Sequence, residues 1–180
     1  TLTAVLSDGA GTTASITITV TVTGFNDAPT SSTPSTQAGT EDTTFTGYVV
    51  ADFPYTDVDG ADTALISITI TVVESAGDLE KSTDGSSWTD VSANDIILNA
   101  HIQHLRLAPV ADASADLTFS YTVQDSDTSS SAYVMTTSFA AENDAPVNTV
   151  SSAVSGNEDT AISIAGNSIA DVDDTSMTLV

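Results

Sequence analysis

The side chains able to do chemistry in this chain are carboxylates, and they recur. Asp8 returns as Asp125, Asp27 as Asp144 and Glu41 as Glu158, each pair 117 residues apart. Asp57 and Asp59, in Asp-Val-Asp-Gly, answer to Asp171 and Asp173, in Asp-Val-Asp-Asp. Asp127 stands two residues after Asp125 in Gln-Asp-Ser-Asp. Acids in this pattern suit a hard cation, because Ca²⁺ takes roughly six to eight oxygen ligands with several carboxylates among them. An Asp-x-Asp pair in extended backbone turns both carboxylates to one side, since side chains alternate. Two such pairs from adjacent repeats, with a linker Asp, would enclose one ion. The competing reading makes the same acids turn formers, since Asp and Asn bond to their own backbone. It is the better account of acids without a repeat partner, such as Asp78, Asp95 and Asp112.

The repeat extends beyond the acids. Asn-Asp-Ala-Pro occurs at residues 26–29 and again at 143–146, and Glu-Asp-Thr at 41–43 and 158–160. Residues 1–29 align with 118–146 without a gap. Such a period decides the architecture before any local signal does. Pro29 and Pro146 cannot donate to a ladder and push the residue before them to an extended form, so strand pairing should lapse there. The expected organisation is three pieces: residues 1–25 as the end of a preceding module, 26–142 as a complete module, and 143–180 as the start of a following one. The chain opens inside a repeat and shows no leader peptide, so further sequence is expected upstream.

The elements that must position these acids are strands. Ile16, Ile18, Val20 and Val22 alternate with threonines, Ile66, Ile68, Ile70 and Val72 with Ser and Thr, and Leu117, Phe119, Tyr121 and Val123 likewise. That is period 2, with one apolar and one hydroxyl-bearing face. Shorter strands are predicted at 44–50, 96–98, 105–107 and 133–139. Turn clusters separate them, and no stretch carries a helical period. About seven strands per repeat, with turns every ~8–12 residues, is the profile of an Ig-like Greek-key β-sandwich.

The balance of 25 Asp+Glu against 2 Lys+Arg gives a net charge of −23. Nucleic acid and anionic membrane surfaces would be repelled, because binding either needs clustered Lys and Arg. No run is long and apolar enough to span a bilayer, so membrane insertion is not expected. With only Lys81 and Arg106 as cations, salt bridges cannot neutralise the acids, and bound divalent cations are the natural relief. There are no cysteines, so disulfides and thiolate metal sites are excluded. No phosphate-cradling loop, nucleophile elbow or recognisable catalytic partner for a His is present, so the chain is not expected to be an enzyme. His101 and His104 read as ordinary loop histidines, and Trp88 as a core residue. Tyr48, Phe53 and Tyr55 fall in a stretch three residues longer than its counterpart in the second copy.

This pattern resembles the cadherin-like modules of large bacterial surface adhesins of the RTX type. The likeness rests on the Asn-Asp-x-Pro junction, on Asp57 following Asp27 by 30 residues, and on the Glu of Glu-Asp-Thr. It rests also on Gly77-Asp78-Leu79-Glu80, on Asp84-Gly85 with Trp88, on Leu105-Arg106-Leu107-Ala108-Pro109 and on Phe119-Ser120-Tyr121-Thr122-Val123-Gln124-Asp125. It covers the central module and both flanks. One departure is that cadherin linkers carry Asp-x-Asn-Asp-Asn, where this chain has Phe25-Asn26-Asp27-Ala28 and Glu142-Asn143-Asp144-Ala145, so fewer linker ligands are expected. The resemblance implies a secreted, cell-surface spacer in a tandem array, rigidified by Ca²⁺ at its junctions. Its partners would be neighbouring modules or other copies in a filament. Two alternatives stand beside it. One is a module binding glycan or protein, with Tyr48, Tyr55 or Trp88 at the site. The other is a subunit that polymerises by strand addition at its incomplete ends.

Overall fold

The computed structural model describes residues 2–7, 9–59, 62–74 and 76–176, with backbone alone for residues 2–7 and 12–16. The chain is all-β. Its strands are β1 (Leu2–Ser7), β2 (Thr12–Ile18), β3 (Gln37–Thr40), β4 (Ser67–Val72), β5 (Asp78–Lys81) and β6 (Thr89–Asp90). They continue with β7 (Ile96–Leu98), β8 (Leu105–Ala108), β9 (Asp116–Gln124), β10 (Tyr133–Ala140), β11 (Val147–Thr149) and β12 (Ser168–Ala170). Two short 3₁₀ turns, Val50–Asp52 and Asn99–His104, are the helical segments among the described residues.

The central module has two sheets, one ordered β3-β10-β9-β4-β7 and the other β6-β5-β8. β3 runs parallel to β10, and the other pairs are antiparallel. Alternation decides what goes inside. Leu117, Phe119, Tyr121 and Val123 of β9 are all buried, as are Met135, Thr137 and Phe139 of β10. From the other sheet Leu79, Leu105 and Leu107 meet them in one core. Tyr48 and Phe53 lie inside it too. Tyr48 stands edge-on to Phe45 and Phe119, and its hydroxyl bonds Thr137 Oγ1 at 2.6 Å, so neither buried oxygen is left unmet. Gly39 makes the β3–β10 contact possible, since a Cβ there would come within 2.7 Å of the Phe139 ring.

Some strand expectations are corrected. Residues 19–23 continue the Thr/Val alternation but join no ladder among the described residues, where β1 pairs β2 from Leu2 opposite Ile18 inward. Period 2 without a partner strand does not make a sheet. In β4, Ile68 and Ile70 are buried while Ile66 and Val72 are exposed, the register slipping between Ile70 and Val72. Residues 44–50 form no strand beyond a single bridge from Phe45 to Leu107. Trp88 is outside the core, with the Arg106 guanidinium 4.0 Å over its ring.

The flanks repeat the module's own geometry. β1 and β2 pair Leu2 with Ile18 and Thr3 with Thr17, and β9 and β10 pair Phe119 with Met135 and Ser120 with Val134. Every one of these residues is displaced by the 117-residue repeat. β11 opposes β12 with Val147 against Ala170, at the place where the module bridges Thr30 and Thr56.

Candidate metal centre

The two Asn-Asp-Ala-Pro junctions are built alike. Asn26 Nδ2 donates to the Asp27 carbonyl at 2.9 Å, and Asn143 Nδ2 to that of Asp144 at 2.8 Å. The Asp27 N–H donates to Asp59 Oδ2 at 2.6 Å, and the Asp144 N–H to Asp173 Oδ2 at 2.6 Å. The Asp59 N–H donates to Asp57 Oδ1 at 2.7 Å, and the Asp173 N–H to Asp171 Oδ1 at 2.9 Å. The Asp-x-Asp pairs therefore do not lie along extended strands with parallel side chains. The first Asp closes an Asx turn on the second, and the second reaches the amide of the linker Asp.

At the second junction the central module supplies the rest of a carboxylate cluster. Glu41 is buried at the end of β3, its N–H donating to the Ala140 carbonyl and its Oε1 accepting from the Glu142 N–H at 2.8 Å. Carboxylate oxygens of Glu41, Asp144 and Asp173 lie within 4.8 Å of one another. A second group, Asp42, Asp112 and Asp144, meets the same limit. Asp42 and Asp112 both hold left-handed backbone, at φ 61° and 58°, which Asp tolerates better than most residues. The Asp112 N–H donates to Asp42 Oδ1 at 2.9 Å, which fixes the two turns against each other. Asp112, Asp144 and Asp171 line a cleft of about 310 Å³.

The electrostatics follow from this crowding. Burial pushes the Asp144 carboxyl above the usual range, and the charges of Asp42, Asp112 and Asp173 push the same way. Asp144 Oδ2 is buried and accepts no hydrogen bond, since its neighbours are carboxylates rather than donors. Neither cationic side chain relieves it. Lys81 pairs with Asp95 and Arg106 with Glu80, each at 2.7 Å.

The first junction shows one side of the same arrangement. Asp57 Oδ2 is buried without a donor, as Asp144 Oδ2 is. Asp125 sits at this junction, through a bond from Asn26 Nδ2 to its Oδ2 at 3.2 Å. Burial pushes the Asp125 carboxyl up, but the N–H groups of Thr128 and Asp127 and the side chains of Asn26 and Thr128 outweigh it and hold it at about 2. Its charge is thus fully met by donors of the protein. Asp127 gives its N–H to Asp125, and its carboxylate joins none of the clusters among the described residues. Glu158 is exposed and likewise in no cluster, and Asp8 lies outside the described residues.

The donor set at the second junction suits a hard divalent cation. It is all oxygen, anionic, drawn from both sides of the linker, and contains a buried oxygen with no partner. Glu41, Asp144 and Asp173 would hold such an ion, with Asp42 and Asp112 beside them. The last two were passed over in the sequence. Asp42 could have been found from its place in the repeated Glu-Asp-Thr, where Asp159 has the matching φ of 59°. Asp112 has no repeat partner in the chain, and only the fold brings it in.

The other polar features gather less. His101 and His104 lie in the 3₁₀ turn before β8, with ring centroids 6.2 Å apart, and no third ligand joins them among the described residues. Tyr48 is buried, Tyr55 packs against the core and donates to the Asp62 carbonyl, and Trp88 stacks under Arg106. A groove of about 370 Å³ between Lys81, Thr89, Ile96 and His101 has no Phe, Tyr or Trp in its lining. No helix among the described residues is long and apolar enough to cross a membrane. Comparison with protein-family models, with curated proteins and with solved structures finds no match to this chain.

Proposed function

We propose that this chain is a structural link in a tandem array of β modules, a non-catalytic spacer of an extracellular adhesin or surface filament whose junctions are stiffened by Ca²⁺. The observation that carries this reading is the convergence of Glu41, Asp144 and Asp173, from the two sides of one linker, with no cation of the protein to balance them. Three facing carboxylates with oxygens within 4.8 Å of one another repel, since like charges at short range raise the energy. A divalent ion at that point turns the repulsion into a bond between modules. Without it the hydrogen bonds at the linker run within each piece, from the Asp144 N–H to Asp173 and from the Glu142 N–H to Glu41, so the linker is expected to swing. With it the string becomes a rod. The likeness to cadherin-like adhesin modules points the same way, and so does a charge of −23, which suits a solvated, extended, self-repelling surface chain.

Thermal melting in excess EDTA and in millimolar Ca²⁺ tests the reading. A ligand that binds only the folded state stabilises it by about 2.7 kcal/mol at a hundred times its Kd. A higher Tm in Ca²⁺ is expected, with no gain from Na⁺ at equal ionic strength. Superimposed curves in EDTA and Ca²⁺ would remove the clamp from the account.

A further inference from the structure

β3 and β10 are the first and last strands of the central module, and they form the one parallel pair among the described residues. β3 lies at the edge of its sheet, with β10 as its ladder neighbour. The chain meets this pair at opposite ends. After entering at residues 26–29 it passes the start of β10, where the Ser31 N–H donates to the Tyr133 hydroxyl at 3.2 Å. It leaves from the far end, where the Glu41 N–H donates to the Ala140 carbonyl at 3.0 Å and the Glu142 N–H to Glu41 Oε1 at 2.8 Å. Between those ends β10 runs for 8 residues, about 25 Å at ~3.3 Å per residue.

We propose that the parallel β3–β10 pair is a shear clamp, which resists tension applied between the module's entry and its exit. Tension draws β3 by its first residue and β10 by its last, in opposite directions along their common axis. Gln37, Ala38, Gly39 and Thr40, opposite Thr137, Ser138, Phe139 and Ala140, are then strained together, and no pair can part before the rest. An antiparallel pair between the same two points would be gripped at one end and would unzip residue by residue. Parallel pairing is slightly the weaker per residue, so the resistance comes from the direction of load and not from the bonds themselves. Two side-chain contacts add to the grip. The Phe139 ring lies against the β3 backbone at Gly39, where a Cβ would come within 2.7 Å of it, so β3 cannot slide without displacing the ring. Tyr48, in the stretch that follows β3, holds Thr137 Oγ1 through its hydroxyl at 2.6 Å. All of these residues belong to the central module, so the clamp owes nothing to the flanks. It deepens the spacer reading without resting on it or on calcium.

Single-molecule pulling of the full chain along two directions tests the clamp. The chain has no cysteine, so handles attach only where one is introduced. Ser35→Cys with Ala141→Cys loads the β3–β10 pair from opposite ends, and Ser35→Cys with Ser131→Cys loads it from one end. All three positions are exposed and outside the ladder, so both variants should keep the wild-type urea midpoint. With equilibrium stability shared, a difference in force reports the direction of load, because forced unfolding follows the unfolding barrier. In EDTA, at one pulling rate, rupture from opposite ends is expected to need several-fold more force than rupture from one end. Equal forces, or the reverse order, overturn the clamp. EDTA keeps divalent metal out of the comparison, so that failure leaves the calcium reading standing. Superimposed melting curves in EDTA and Ca²⁺ remove calcium and leave the clamp.

Discussion

Val22 and Phe139 occupy the same repeat position, on hairpins of the same register, yet one is 87% exposed and the other 4%. The difference lies in what faces them. Phe139 has β3 along its edge and Tyr48, Phe53 and the β8 leucines in the same core. Val22 has no ladder partner among the described residues. Alternation along a strand marks a face, and burial needs a second layer to cover it. The junctions teach the same lesson in carboxylates. Residues 26–29 and 143–146 make the same local hydrogen bond, from Asn26 Nδ2 to the Asp27 carbonyl at 2.9 Å and from Asn143 Nδ2 to the Asp144 carbonyl at 2.8 Å. Only the second has Glu41, Asp42 and Asp112 against it. A local motif sets half of the carboxylate cluster, and residues distant in sequence supply the rest.

Truncation at the matched positions gives the largest contrast. Phe139→Ala should cost about 3–5 kcal/mol, the range for deleting a buried aromatic, whereas Val22→Ala should stay within about 0.5 kcal/mol, as for exposed sites. Urea unfolding followed by circular dichroism reads both, and equal costs would break the comparison. Asp125 comes next. Asp125→Ala leaves the Asp127 and Thr128 N–H groups without their acceptor, at about 2 kcal/mol for bonds to a charged group. Asp127→Ala should cost almost nothing in the same assay. A smaller loss, about 1 kcal/mol, is expected for Tyr48→Phe, which keeps the ring packing but strands the buried Thr137 hydroxyl.

The smallest effects concern pH, and they carry opposite signs at the two junctions. Asp125 has a folded pKa of about 2, below the ordinary carboxylate value. Its contribution to stability is present above the unfolded value and is lost as pH falls from there through about 2. Asp144 has a raised folded pKa. Its contribution is present below the unfolded value and is lost as pH rises through the folded one. In EDTA at neutral pH, Asp144→Asn should therefore raise Tm, and Asp125→Asn should lower it. A fall in both would show that Asp144 already has a partner within the protein.

β9 was legible in the sequence because it buries every second residue over nine positions, and β10 was placed as a shorter strand over 133–139, which falls within its bounds. β7 and β8 were legible as short apolar runs between turns. β3 and β5 were not, since Gln-Ala-Gly-Thr and Asp-Leu-Glu-Lys are four residues each with at most one buried apolar side chain. Their pairing comes from β10 and β8, which is tertiary information. Trp88 was misplaced because aromatic scarcity says nothing about a cation stacked upon it. The repeat made Asp27, Asp57, Asp59, Asp144, Asp171 and Asp173 legible as junction acids. It could not reveal that Glu41 lies beside the second Asn-Asp-Ala-Pro stretch instead of the first. Sequence order sets Glu41 nearer Asp27, whereas the parallel β3–β10 pair carries it to Glu142 and Asp144.

Calorimetric titration of Ca²⁺ into the wild type, and into a double variant Glu41→Gln with Asp144→Asn, tests the central claim most directly. Both substitutions keep size and an acceptor oxygen while removing charge, so the Glu142 N–H can still be met. The account predicts saturable binding by the wild type and the loss of at least one bound ion in the double variant, with its EDTA melting curve no lower. Superimposable isotherms, or no binding heat in the wild type across a range of temperatures, would contradict it.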